Sequence, residues 1–172
     1  MRWLWIDRIL EFEPGRRLVA AKAVSLSEPH LHDHFAAGES GAALPVMPGP
    51  LILEGMAQAG GLLAGEARGF RDSVVLAKVK RADLAFDVLP GSVLLFEATL
   101  AAIDDAGASV DGVVWATEPG SADRTRMGAI DLMFGHVPAE DRSILLSEAF
   151  RTLVDASARA GGGGVSAVLP TA

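Results

Sequence analysis

The chain has 172 residues, half of them hydrophobic, which suits one domain with a sizeable core. A net charge of −7 without a long basic stripe argues against nucleic acid as the main partner. The absence of cysteine removes disulfides, thiolate nucleophiles and Cys-type zinc sites together, and it fits a reducing cytoplasm.

The N-terminus, MRWLWIDRIL, has too short an apolar run for a signal peptide, because Asp7 and Arg8 interrupt it. Residues 3–12 read as a short helix or strand packed on the body. Glu13-Pro14-Gly15-Arg16 is a turn signal, and Arg17 to Leu26 reads as a strand rich in Val and Ala. An irregular region follows from Ser27 to Met47 and holds three of the four histidines. Loops of that length inside a compact domain are often functional.

Leu44 to Gln58, LPVMPGPLILEGMAQ, is the stretch around which the rest is arranged. Two prolines and a glycine stop regular structure, and Pro50 suits a first helical position, where its missing N–H costs nothing. Leu51 to Ala67 is apolar on nearly every face, which predicts a helix wrapped by protein on all sides. Glu54, Gln58, Glu66 and the glycines make a core helix a better reading than a membrane span. Glu54 is the one ionisable residue before the last turn. A carboxyl there is expected to be desolvated with its pKa raised, a mark of chemistry, although an ion pair with an Arg or Lys is the bland alternative. Gly55, Gly60, Gly61 and Gly65 lie within the helix, not between strand and helix, so they do not form a nucleotide loop. They let a sheet pack close.

Strands are predicted at Ser73–Phe86, Ser92–Ile103, Ser109–Thr117 and Arg124–His136, joined by turns at Leu89-Pro90-Gly91, Asp104–Ala108 and Glu118–Asp123. The order implies an α+β domain in which a curved antiparallel sheet covers one long helix. Leu146, Phe150, Leu153, Val154 and Ser157 recur at helical spacing in Asp141–Ala160. The division is therefore a domain at 1–138, a C-terminal helical extension at 139–160 and a flexible tail at 161–172.

Rival sites are weaker. His30, His32 and His34 would line one side of an extended strand, and the segment falls one residue short of an H-x-H-x-D-H zinc motif with no second ligand cluster. A solvated loop explains the extra histidines. Asp104, Asp105 and Asp111 lack calcium-loop spacing.

The residues His34-Phe35, Pro45-Val46-Met47-Pro48-Gly49 and Leu51-Ile52-Leu53-Glu54-Gly55-Met56-Ala57-Gln58 resemble the signature of the 3-hydroxyacyl-[acyl-carrier-protein] dehydratases of bacterial fatty-acid synthesis. Ala23–Pro29 is similar to that family's KNVSxNEP segment, and Phe86–Gly91 to its F-x-x-P-V-x-P-G-D turn. The resemblance covers roughly 5–137 and leaves out the C-terminal helix. It implies the hotdog fold and a dehydration of 3-hydroxyacyl thioesters that uses no cofactor or metal. It implies that His34 takes the α-proton, that Glu54 protonates the departing hydroxyl, and that the Gly49 N–H holds the thioester carbonyl. It also implies a homodimer or higher homo-oligomer, with the His and the Glu coming from different subunits, and an acyl-carrier-bound substrate. Gln58, one turn beyond Glu54, could orient that carboxyl or be satisfied by a neighbouring strand. Lys78, Lys80, Arg81, Arg124 and Arg126 are candidates for a basic patch that meets an acidic carrier, or are ordinary solvated strand residues. Two departures stand out. Nine residues, 36–44, separate Phe35 from Pro45 where the family's HFPxxPxMPG has three, an insertion of six. Pro50 also removes an N–H next to Gly49. These departures leave a weak acyl-binding paralogue, or a hotdog thioesterase, as alternatives.

Overall fold

The computed structural model describes residues 4–38, 41–85, 87–121, 123–138, 148 and 150–155. Six strands form one antiparallel sheet: β1 (Arg8–Glu13), β2 (Arg17–Ala23), β3 (Asp72–Leu84), β4 (Val93–Ile103), β5 (Gly107–Thr117) and β6 (Arg124–Pro138). Their spatial order is β1-β2-β4-β5-β6-β3. A short helix, α1 (Pro29–Asp33), and a long one, α2 (Gly49–Ala67), lie between β2 and β3. The chain thus crosses from one side of the sheet to the other through α2, and the sheet closes around it as the hotdog fold.

The inward face follows from alternation. Along β5, Ala108, Val110, Gly112, Val114 and Ala116 are buried in turn, and on β4 so are Leu94, Phe96 and Ala98. Of these, Val110, Val114, Ala116, Leu94, Phe96 and Ala98 share one core with Ile52, Met56, Ala59, Leu62 and Leu63 of α2. The helical glycines serve close approach: a Cβ at Gly55 would overlap the Phe96 ring, and one at Gly60 would lie 3.1 Å from Phe134.

Burial of α2 differs from expectation in one respect. Ala59 to Gly65 are all buried, but Leu51, Leu53, Glu54, Ala57 and Gln58 are only partly covered, and Pro50 is exposed. The sheet wraps the C-terminal half of the helix and leaves one face of the N-terminal half open. The helix also begins at Gly49, so Pro50 is its second residue instead of its first.

The region expected to be irregular contains α1. Pro29 starts it, and Leu31 is its one buried anchor. His30 and His32 are therefore not on an extended strand. His30 packs on the Trp5 ring (centroids 5.3 Å apart), His32 Nε2 is 2.9 Å from the Leu26 carbonyl, and His34 bonds elsewhere. The alternating row that suggested a metal does not exist.

At the far end of α2, residue 148 and residues 150–155 are helical. Phe150 packs against Phe12 (5.1 Å between centroids) and Phe70 (5.5 Å), and Leu153 and Val154 are buried in the same core. From Glu54 to Ala67 the helix rises by about 20 Å, so this segment docks far from Glu54. The rest of the 139–160 extension and the 161–172 tail lie outside the described residues.

Strand β3 forms one edge of the sheet and, among the described residues, pairs with β6 alone. Its exposed side chains include Val75 (49%), Leu76 and Val79, an unusual surface for an open edge.

Candidate functional site

Two structural units converge on the N-terminal half of α2. In the first, a β-type link joins His34 to Val46. Val46 N–H donates to the His34 carbonyl at 2.7 Å, and His34 Nδ1 lies 2.7 Å from the Val46 carbonyl. A carbonyl oxygen only accepts, so in the neutral ring Nδ1 carries the hydrogen and Nε2 keeps its lone pair. This is the tautomer that a general base requires.

The insertion between these two residues folds on itself. Phe35 and Leu44 each donate a backbone N–H to the other's carbonyl, and Gly38 and Gly41 do the same, both bonds at 3.1 Å. The described residues 35–38 and 41–44 are joined by these two bonded pairs, the first of them beside His34 and Val46, which stay in register. Phe35 remains 57% exposed, with its ring stacked on that of His34 at 4.3 Å.

The second unit is on the helix. Gln58 Nε2 donates to Glu54 Oε1 at 2.8 Å, the i, i+4 contact that helical spacing allows. Gln58 Oε1 receives the backbone N–H of Trp5 at 2.7 Å and that of Ile6 at 3.4 Å. Gln58 thus touches Glu54 and accepts from the irregular segment before β1, not from a neighbouring strand. Among the described residues no hydrogen bond or ion pair links His34 to Glu54 within the chain.

Gly49 opens α2 and is exposed. Leu51 and Ile52 both donate to the Pro48 carbonyl, at 2.9 and 3.3 Å, and Pro50 has no N–H. Among the described residues no acceptor takes the Gly49 N–H. The first turn of the helix thus presents one donor. Buried Val46 and Met47 hold the approach, with Met47 N–H donating to the Val88 carbonyl at 2.8 Å.

Sequence reasoning missed the residues that seat Trp5. Lys22, 6% exposed, forms a hydrogen-bonded ion pair with Glu28, and its ammonium lies 4.7 Å from the centre of the Trp5 ring. Asp7 Oδ2 accepts the Ala23 N–H at 2.6 Å and Asp7 N–H donates to the Ala21 carbonyl at 2.8 Å, which fixes the N-terminal segment to β2. A lysine in the middle of the VAAKA strand was the available signal.

Of the basic candidates, Arg81 is ion-paired with Asp131 at 2.8 Å, and Lys80 Nζ lies 3.5 Å from Ser109 Oγ. Arg124 and Arg126 sit on β6 opposite Thr117 and Trp115 of β5. No group of three His, Cys, Asp or Glu among the described residues could hold a metal, and no described helix is long and apolar enough to cross a membrane.

The chain is similar to known proteins. A 3-hydroxyacyl-[acyl-carrier-protein] dehydratase FabZ from Magnetococcus marinus is 47% identical over 103 residues, covering 57% of this chain and 62% of that protein. The protein of the same description from Symbiobacterium thermophilum is 42% identical over 102 residues, covering 59% of this chain and 68% of its own length. The chain thus spans a little under two thirds of the first relative. Among solved structures, the dehydratase heterocomplex ApeI:P from Xenorhabdus doucetiae superposes with a TM-score of 0.59 at 18% identity, covering 83% of this chain and 87% of that one, and it shares the fold. Residues 1–125 match the FabA-like domain, and the chain belongs to that family.

Proposed function

We propose that the protein is a 3-hydroxyacyl-[acyl-carrier-protein] dehydratase, a hydro-lyase acting within the hotdog domain of residues 1–138. The observation that carries this reading is the presence of two complementary groups, each held in place: an imidazole with Nε2 available and a carboxyl whose Oε1 is already engaged by Gln58. His34 Nε2 removes the α-proton of the thioester. The electron pair moves onto the carbonyl oxygen, which the Gly49 N–H stabilises as negative charge develops. The enolate then expels the 3-hydroxyl as Glu54 donates its proton, so that water leaves and a trans-2-enoyl thioester remains. Glu54 takes up the α-proton's equivalent from His34 or solvent to restart. Neither step calls on a cofactor.

The relatives named above support this substrate class. The open face of α2 at Leu51, Leu53, Glu54, Ala57 and Gln58, and the apolar edge of β3, support a homodimer in which a second copy covers both and brings its His34 to Glu54. The acidic net charge leaves carrier docking to local positive groups, for which Lys78, Arg124 and Arg126 are the candidates.

The test is turnover. The protein, incubated with 3-hydroxyacyl and trans-2-enoyl thioesters, interconverts the two without release of free thiol, and His34→Ala and Glu54→Gln each abolish it. Thiol release without enoyl product selects a thioesterase. Acyl binding without turnover selects a binding module.

A further inference from the structure

We infer that the N-terminal segment at Trp5-Ile6 is a positioning device for Glu54: it sets the sense of the Gln58 amide and so decides which carboxyl oxygen carries the proton. The inference rests on the reading of Glu54 as the proton donor. A glutamine amide can be turned either way in its slot. With the oxygen toward Glu54 it would accept that group's proton; with the nitrogen toward Glu54 it donates. The backbone N–H groups of Trp5 and Ile6 can only donate. They take Gln58 Oε1, at 2.7 and 3.4 Å, and thereby force Nε2 to face Glu54 Oε1 at 2.8 Å. An Oε1 that accepts from the amide is the carbonyl oxygen of a neutral carboxylic acid. The proton is left on Oε2, available to a substrate hydroxyl.

A clamp of this kind needs an anchored backbone, and the anchor is built. Trp5 is 7% exposed and Ile6 1%. The centre of the Trp5 ring lies 4.7 Å from the Lys22 ammonium and 5.3 Å from the centre of the His30 ring, which is tilted by 53° to it. Lys22 is ion-paired with Glu28 and lies 3.9 Å from Asp7, and His30 Nε2 lies 3.5 Å from Glu28. The titratable groups around the anchor, Asp7, Lys22, Glu28 and His30, are thus engaged with one another and not with Glu54. The chain of contact runs from the Lys22–Glu28 pair through Trp5 to Gln58 and then to the carboxyl.

The test uses the full-length protein with carbon-13-labelled glutamate, and it reads Glu54 by NMR whether or not the protein turns over substrate. An amide N–H donated to the carboxylate favours the ionised form, so its loss raises the titration midpoint. Gln58→Leu therefore raises the midpoint of Glu54. Trp5→Ala, which frees the amide to turn over, raises it in the same direction, and Trp5→Phe, which keeps an aromatic ring over Lys22, leaves it near the parent value. Trp5→Ala adds nothing in the Gln58→Leu background, because both remove one interaction. In the dehydration assay each of the two damaging variants lowers kcat by about fivefold, the size of one neutral hydrogen bond, with KM nearly unchanged. An unshifted Glu54 midpoint in Gln58→Leu, or additive effects in the double variant, overturns the proposal. Should Trp5→Ala fail to fold, Trp5→Leu decides: it fills the slot with an apolar side chain but has no ring for Lys22, and a Glu54 midpoint that does not rise refutes the clamp. Normal titration shifts in a protein without dehydratase activity would instead retire the functional reading and leave the clamp standing.

Discussion

His34 and Val46 are twelve positions apart in the chain and hydrogen-bonded to each other twice, once through the backbone and once through the imidazole. Phe35 and Leu44, bonded to each other twice, close the segment between them next to the ring. Replacing residues 36–43 by Asn-Gly, a two-residue hairpin connection, removes the six-residue excess. Loop length enters stability weakly, and the variant should lose no more than about 1 kcal/mol in chemical denaturation. Its dehydration rate should stay within roughly tenfold, since even a 1 Å displacement of the base costs about a hundredfold.

Gly55 follows Glu54 and faces the Phe96 ring with no room for a methyl group. Alanine would gain about 1 kcal/mol of helix propensity but force the helix off the sheet. Overpacking of this kind costs about 1–3 kcal/mol, so Gly55→Ala should be destabilised on balance, and Phe96→Leu in the same chain should recover part of the loss. Thermal melts of the parent and the two variants check this.

The edge of β3 exposes Val75, Leu76 and Val79 where an edge strand open to water would carry charge. Val75→Lys combined with Val79→Glu should convert the proposed homodimer to monomers in sedimentation and abolish turnover, while far-ultraviolet circular dichroism stays the same.

On the outer face of the sheet, burial pushes the Glu97 carboxyl up, but hydrogen bonds from the Arg17 guanidinium (2.7 Å) and the Trp115 indole (3.0 Å) outweigh it and hold Glu97 below its ordinary value of 4.5. A carboxyl depressed on folding contributes stability that is present above the unfolded pKa and is lost as pH falls through the folded one. Glu97→Gln should therefore be less stable than the parent at neutral pH and should narrow that difference below about pH 4. Denaturation curves across pH 2–7 read the effect.

The architecture was legible in the sequence because its signals are local and strong. The Pro48-Gly49-Pro50 start, the apolar run of α2, and the glycine-bearing turns between β4, β5 and β6 each specify one structure. Glu54 and Gln58 were legible for the same reason, being four residues apart on one helix. Trp5 was not. Its role depends on a backbone N–H reaching Gln58 across 53 positions, and a main-chain donor leaves no trace in a side-chain pattern. Helix α1 escaped because five residues with one buried apolar anchor show no period. The expectation that α2 is wrapped on every side failed at its N-terminal half, where apolar residues are half-covered by the single chain. Hydrophobicity tells that such residues are to be covered, not by which chain.

The central claim is that His34 of one subunit and Glu54 of another perform the elimination together. His34→Ala and Glu54→Gln proteins, each inactive alone, are mixed, allowed to exchange subunits, and assayed for conversion of a 3-hydroxyacyl thioester to its enoyl product. Each mixed dimer holds one intact pair, so random exchange should restore about a quarter of the parent rate. No recovery, in a sample whose native mass spectrum shows mixed dimers, would contradict the account.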